Sequence, residues 1–194
     1  MFIHENVLGD IELSTTNING KRCYITPDGQ NYPSITTVLS EYKKEGIIAW
    51  RKRVGEQEAN KISTKASRRG TKVHKLCEDY LNNELSFKDF TPDNVEMFKG
   101  IQPFLNEIEI VYAQERTLYS HHLKTSNKPK KWEWIDNYFM QGAGYSVMWE
   151  EMTKMPIPNI AIIIAVADDE PQVFLEKRDN WIEKFIEVRN NYDK

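Results

Sequence analysis

The sequence predicts a mixed α/β or α+β fold in which a small sheet is flanked by helices. The apolar run 160–166 is too short to cross a bilayer and is typical of a buried strand. A second strand is predicted over 172–176, and the turn-forming residues 168–171 between the two runs favour pairing. Segments with the apolar period of helices stand on both sides. The 194 residues are expected to form one domain, 1–194.

The remaining elements are predicted from local patterns. A strand over 21–26 ends at a turn over 27–29, and Ser34 begins a short capped helix. A strand is also plausible over 111–119, and residues 124–131 read as a polar loop. The apolar periodicity predicts helices over 46–63, 64–81, 92 to about 109, 132–153 and 180–190.

Composition excludes several classes of protein. Hydrophobic residues make up 40% of the chain and charged residues 28%, which is ordinary for a soluble globular protein. The N-terminus has no secretory signal pattern, and Cys23 and Cys77 fit neither a disulfide framework nor a metal knuckle. We therefore expect a cytoplasmic protein with reduced thiols and no membrane partner. A net charge of −3 leaves room for a local basic surface.

His74 and Glu78 form the first candidate site. They lie four residues apart on a predicted helix and so share one of its faces. An imidazole and a carboxylate placed in this way can reach one divalent ion, or the glutamate can orient the histidine. The alternative is a surface pair without function, which spacing alone favours.

The predicted loop 124–131 is the second candidate, because it contains four lysines and no acid and leads into two tryptophans. Lysines that meet phosphates and an indole that stacks on a base suit a single-stranded nucleic acid. The alternative is a solvated loop followed by tryptophans of the helix core. The residues are Lys124, Lys128, Lys130, Lys131, Trp132 and Trp134.

Gln141 and Tyr145 are the third candidate, again four apart on a predicted helix and preceded by Tyr138. An amide and a hydroxyl on one helix face can hold a phosphate or a nucleophilic water. Polar residues at the edge of a packed helix are the simpler explanation of this spacing.

The order of several motifs resembles that of a known family. They are Tyr-Pro-Ser-Ile-Thr-Thr-Val-Leu at 32–39, Trp50, Arg69-Gly-Thr-x-x-His74-x-x-x-Glu78, Gln114-Glu115-x-x-Leu118-Tyr119, Lys124 to Lys131, and Tyr138-x-x-Gln141-x-x-x-Tyr145. Together they resemble the RecB-like branch of the PD-(D/E)XK nucleases. The likeness is to the phage exonucleases related to the mitochondrial genome maintenance exonuclease, and it extends over nearly the whole chain.

This resemblance implies a restriction-endonuclease-like core and a metal-dependent DNA exonuclease of phage or bacterial type, acting in DNA repair or replication. Single-stranded DNA ends are the implied substrate, and Mg²⁺ or Mn²⁺ the implied cofactor. His74 and Glu78 would lie at the metal, Lys124 at the hydrolytic water, and Gln141 and Tyr145 would support the site. The implied DNA-contacting residues are Arg69, Thr125, Ser126, Lys128, Lys130, Lys131 and Trp132.

The acidic core of that family's site is missing from this sequence. The family has one Asp in a Gly-x-x-Asp strand and a second acid two residues before the lysine. Here His122 stands two residues before Lys124, and no Gly-x-x-Asp lies between Tyr119 and Lys124. The gap corresponds to a β-hairpin of about 15–25 residues. A poorer site could use Glu78, Glu115, His121 and His122, where imidazole favours a softer metal than Mg²⁺.

Three hypotheses follow: an exonuclease with an impaired site, a non-catalytic derivative that binds single-stranded DNA, or an internal deletion relative to the natural gene product. We expect a truncated sheet made of strands near 111–119, 160–166 and 172–176. His74, Lys124, Gln141 and Tyr145 are expected to converge on one concave surface. The chain is expected to bind single-stranded DNA and to cleave it poorly or not at all.

Overall fold

The computed structural model describes residues 1–9, 12–114, 122–126 and 128–192, and for 122–126 it describes the backbone. In chain order the elements are β1 (Ile3–His4), β2 (Thr15–Ile18), β3 (Lys21–Ile25), β4 (Asn31–Pro33), α1 (Ile35–Tyr42), α2 (Lys44–Val54), α3 (Glu56–Leu81), α4 (Pro92–Leu105), β5 (Ile110–Val111), β6 (His122–Ser126), a 3-10 turn (Trp132–Trp134), α5 (Asp136–Thr153), β7 (Asn159–Val166), β8 (Gln172–Lys177) and α6 (Asp179–Tyr192). Within the described residues, every helix is too short or too polar to span a membrane.

The central sheet has the strand order β6-β7-β8. β7 and β8 pair antiparallel across the predicted turn, with Ile162 opposite Phe174. β6 runs parallel to β7, with Lys124 opposite Ile164. The expected mixed α/β architecture and the two predicted strands near 160–166 and 172–176 are thus confirmed.

Helices cover both faces of this sheet. Successive residues of β7 point to opposite faces, and both sets are apolar. Ile163 and Ala165 belong to one core cluster with buried residues of α3 and α4, among them Val73 and Phe98. The other face of β7 packs against α1, α5 and α6. Its cluster contains Leu39, Ile135, Phe139, Met140, Ala143, Ile160, Ile162, Ile164, Val166 and Trp181. A strand that is apolar throughout is expected where both faces are buried.

Two expectations about strands differ from the structure of the described residues. Among residues 110–114, Ile110–Val111 form β5, which pairs in parallel with β1 outside the central sheet. Residues 115–119 lie outside the described residues. The third strand of the central sheet is instead β6, in the region predicted as loop. Its polar sequence has little strand propensity, so pairing with β7 decides its conformation.

Helix boundaries also differ from the predicted ones. The break between the first two long helices is at Gly55, whose φ of 91° is accessible mainly to glycine, and α3 then continues unbroken to Leu81. The predicted helix 132–153 is divided at Ile135 into the 3-10 turn and α5. The cap at Ser34 is confirmed, because its Oγ accepts a hydrogen bond from the Thr37 N–H at 3.0 Å.

Candidate functional site

The unit β6–α5–β7 contains most of the predicted catalytic residues. Two parallel strands are joined by a helix that packs on the second strand, which is the usual crossover in α/β folds. Lys124 occupies the central position of β6 in register with Ile164, and Ile164 belongs to the core cluster that α5 covers. The backbone therefore places position 124 in a strand next to β7, whereas the sequence predicted a loop.

Gln141 and Tyr145 share a face of α5 as their spacing predicts. The Gln141 Nε2 donates a long hydrogen bond of 3.4 Å to the Tyr145 hydroxyl, and Gln141 is buried. One turn earlier, Tyr138 packs against the core cluster beneath α5, and burial raises the pKa of its hydroxyl. The pair is thus held within a well-packed helix.

His74 and Glu78 lie on α3, which contacts β6. Both side chains are half-buried. The Glu78 carboxylate accepts from the Lys75 ammonium at 3.1 Å, and Lys75 also pairs with Asp79 at 2.8 Å. One oxygen of Glu78 therefore already has a cationic partner.

The implied metal does not fit the described residues. Among them, no group of three or more His, Cys, Asp or Glu side chains is placed to hold an ion. Mg²⁺ needs near-octahedral oxygen coordination, and one glutamate beside a histidine supplies too few ligands. Glu115 and His121 lie outside the described residues, and His122 is described by its backbone only.

The expected convergence of four residues remains a prediction. α3 and α5 pack against opposite faces of the central sheet, so the helices that carry His74 and the Gln141–Tyr145 pair lie on different sides of it. β6 is the edge strand of this sheet in the described part of the chain. Lys124 is located in that edge strand.

The lysine-rich segment after β6 is fastened to the sheet. The Lys130 N–H donates to Oε1 of Gln172 at 2.6 Å, and Nε2 of Gln172 donates back to the Lys130 carbonyl at 3.1 Å. Gln172 is the first residue of β8, so this reciprocal pair joins residues 42 positions apart. Sequence reasoning missed Gln172, because nothing in its local pattern marks it as a partner of the loop.

No protein-family model matches this chain, and no curated protein matches it at a significant level.

The two tryptophans after the loop have different environments. The Trp132 ring packs near Phe139 and Trp181, at centroid distances of 5.9 and 5.5 Å, and its Nε1 donates to Glu176 at 3.3 Å. Trp134 is 58% exposed, and the Lys131 ammonium lies 5.4 Å from the centre of its ring. Trp132 therefore belongs in part to the helix core, which was the alternative to a role in binding. The indole of Trp134 is exposed to solvent.

The other predicted DNA contacts are divided between two places. Lys128 and Lys131 are exposed on the anchored loop, and Lys130 is half-buried there. Thr125 and Ser126 end β6 just before it. Arg69 lies instead on α3, in the wall of a cavity that the loop does not line. We define residues 128–134 as the basic aromatic segment.

Proposed function

We propose that this chain binds single-stranded DNA through the basic aromatic segment, on a core of the PD-(D/E)XK type. The observation that supports this most is the combination of exposed lysines and the exposed indole of Trp134 on a loop fastened to β8 by Gln172. A fastened loop loses little conformational freedom when a ligand binds, so its contacts contribute more of their energy to affinity.

The chemistry of the segment favours a single strand over a duplex. Lysines meet phosphates in either form, but a base can stack on an indole only when it is not already paired and stacked in a helix. Trp134 has an exposed ring next to Lys131, so a stacked base would place its phosphate near an ammonium.

The nuclease-like core is supported by the β6–α5–β7 unit. The family pattern has a lysine followed later in the chain by a Gln-x-x-x-Tyr pair. Lys124 lies in β6, and the hydrogen-bonded Gln141 and Tyr145 lie on the next helix, α5. A cytoplasmic role in a bacterium or a phage-infected cell belongs to the same proposal.

The test is fluorescence anisotropy of a labelled oligo-dT across a series of salt concentrations. Replacing Lys128, Lys130 and Lys131 together by alanine should flatten the slope of log affinity against log salt by about two, since each phosphate contact on a single strand contributes roughly 0.7. Trp134→Ala should weaken binding by about 1–3 kcal/mol with little change in slope.

The matched control removes the same charge elsewhere. Lys61, Lys88 and Lys99 are exposed on other surfaces, and their triple alanine variant should retain most of the slope. Equal slopes for the two triple variants, or no binding by the unaltered chain at low salt, would refute the proposal.

Metal-dependent exonuclease hydrolysis is the second candidate function. It is favoured by the placement of Lys124 beside β7 and by the Gln141–Tyr145 pair. It is opposed by the lack of a fitting metal-ligand set in the described residues. We therefore rank strand binding above strand cleavage.

A further inference from the structure

A cavity of about 760 Å³ lies between α3, the start of α4 and the turn that joins β7 to β8. Its lining includes Ala165, Val166 and Ala167, at the carboxyl end of β7. Ligands of α/β proteins commonly bind in crevices at the carboxyl ends of strands, and sites for small molecules have volumes of roughly 300–1,000 Å³. The place and the size of this cavity therefore suit a small ligand.

One wall of the cavity is cationic. Lys65, Arg68 and Lys72 recur on α3 at the spacing that puts them on one helix face, and all three are exposed. None of the three forms an ion pair with a carboxylate of the described residues. Lys72 is held at the rim, where its ammonium donates to the Asp89 carbonyl at 3.4 Å and lies 5.2 Å from the centre of the Phe90 ring.

The part of the cavity formed by the β7–β8 turn and α4 is acidic. The turn after β7 contributes Asp168, Asp169 and Glu170, all exposed, and the first half of α4 adds Asp93 and Glu96. Asp168 has a positive φ of 57°, which fixes the turn in a left-handed conformation that Asp and Asn tolerate. The carboxylates accordingly belong to a defined turn and a helix.

This cavity lies apart from the predicted catalytic and metal-binding residues. Two residues along an α-helix turn the direction of a side chain by roughly 200°, so His74 lies on the far side of α3 from Lys72. Of the predicted site residues that the structure describes, Arg69 lines the cavity, whereas His74, Glu78, Gln141 and Tyr145 do not. A ligand in the cavity would therefore contact none of these four residues.

We propose that the cavity binds a nucleoside monophosphate, with the phosphate on the α3 wall and the base on the acidic wall. Several neighbouring cations suit a phosphate dianion, whereas a ligand with a single carboxylate would need only one cation. A purely anionic ligand would be repelled by the turn, and a purely cationic one by α3. A nucleotide satisfies both walls, because the N–H groups of a base donate to carboxylates.

Guanine suits the acidic wall best among the bases. Its N1–H and N2–H groups form a donor pair that one carboxylate accepts with both oxygens, as in other bidentate pairs. Thymine offers a single N–H between two carbonyl oxygens, which carboxylates repel. The site should therefore prefer dGMP to dTMP. This inference does not depend on the basic aromatic segment.

Isothermal titration of the full chain with dGMP, dTMP, deoxyguanosine and inorganic phosphate tests the proposal. We expect dGMP to bind at least tenfold more tightly than phosphate or deoxyguanosine, since each of those occupies one wall only. The double variant Arg68→Ala, Lys72→Ala should weaken dGMP binding at least tenfold. The double variant Asp168→Asn, Asp169→Asn should remove the preference for dGMP over dTMP, and asparagine tolerates the positive φ at 168.

The control variant Lys61→Ala, Lys75→Ala removes two cations of α3 that do not line the cavity, and it should bind dGMP as the unaltered chain does. Failure of dGMP to bind at millimolar concentration, or equal binding by the Arg68, Lys72 variant and the control, would overturn the proposal. Thermal unfolding of each variant checks that it folds.

The nucleotide could be free or could form the phosphorylated end of a strand. Competition of dGMP against short oligonucleotides beginning with dG distinguishes these sources, in the background that lacks Lys128, Lys130 and Lys131. If a 5′-phosphorylated strand competes with dGMP and its 5′-hydroxyl counterpart does not, the ligand is a strand end. If neither strand competes, the ligand is the free nucleotide. Strand binding that persists in the Arg68, Lys72 variant separates this site from the basic aromatic segment.

Discussion

Asp136 connects three helices through its carboxylate. Its Oδ2 accepts from the Tyr42 hydroxyl at 2.9 Å and from the Lys184 ammonium at 3.2 Å, and its Oδ1 accepts from the Lys43 ammonium at 2.5 Å. The residue is 9% exposed and begins α5, where a negative charge also suits the helix dipole. Burial alone would raise the pKa of this carboxyl, but hydrogen bonds from Lys43, Tyr42 and Lys184 outweigh it and lower the pKa.

We predict that Asp136→Asn destabilises the fold by roughly 1–3 kcal/mol at pH 7, because two lysines lose their common partner. A carboxyl whose pKa is lower when folded stabilises the fold above its unfolded pKa, and this contribution is lost as the pH falls through its folded pKa. The difference in unfolding free energy between the variant and the unaltered chain should thus shrink below about pH 4, because the ordinary pKa of an aspartate carboxyl is 3.8. Urea unfolding at pH 7 and pH 3 measures it, and an equal difference at both would contradict the assignment.

Gly142 allows α5 to approach β7 closely. A Cβ at this position would lie 2.6 Å from Cγ2 of Ile160, closer than carbon atoms pack. Alanine ordinarily stabilises a helix interior by about 1 kcal/mol relative to glycine. We predict that Gly142→Ala instead destabilises the fold by roughly 1–3 kcal/mol, because the added Cβ overpacks this contact.

Gly100 on α4 is the matched control for this prediction. A Cβ there would meet only Pro171, at an ordinary 3.8 Å, and the position is exposed. Gly100→Ala should therefore stabilise the fold by about 0.5–1 kcal/mol. Thermal unfolding compares the two variants, and a stabilising Gly142→Ala would show that Ile160 moves aside at little cost.

Hydrogen bonds between Gln172 and Lys130 connect β8 to the basic aromatic segment. Gln172→Ala removes both hydrogen bonds to Lys130 and leaves every charge in place. We predict weaker binding of single-stranded DNA by about 1–2 kcal/mol, since the loop must then be ordered by the ligand. The salt slope should not change. Gln172→Glu keeps the acceptor for the Lys130 N–H and should have an intermediate effect.

An affinity unchanged by Gln172→Ala would mean that the loop is held by other contacts. Hydrogen exchange of the Lys130 amide supplies the structural readout. Its exchange should accelerate in Gln172→Ala and change less in Gln172→Glu.

For the whole molecule, we predict that strand binding and strand cleavage are separable. The chain should bind labelled single-stranded DNA and leave it largely intact over a time course with Mg²⁺ or Mn²⁺, because a metal-generated hydroxide needs ligands that the described residues do not assemble. The double variant His74→Ala, Lys124→Ala is the control. Robust metal-dependent degradation that this variant abolishes would establish hydrolysis instead, with Glu115 or His122 as the first ligands to examine.

Local patterns determined much of the secondary structure. The β7–β8 pair, the capped start of α1 at Ser34 and the shared helix face of Gln141 and Tyr145 all follow from alternation, turn residues and helical spacing. Such features depend on residues only a few positions apart, so one sequence is enough to predict them. The break at Gly55 was equally local, and the helical period on both sides obscured it.

The tertiary structure decided what depends on distant partners. β6 is polar and becomes a strand because β7 offers it a parallel edge, and Lys43 and Asp136 pair across 93 positions. The Gln172 anchor and the two-walled cavity likewise join residues from separate elements. No local propensity encodes these contacts, because their free energy arises only after the helices and strands have packed together.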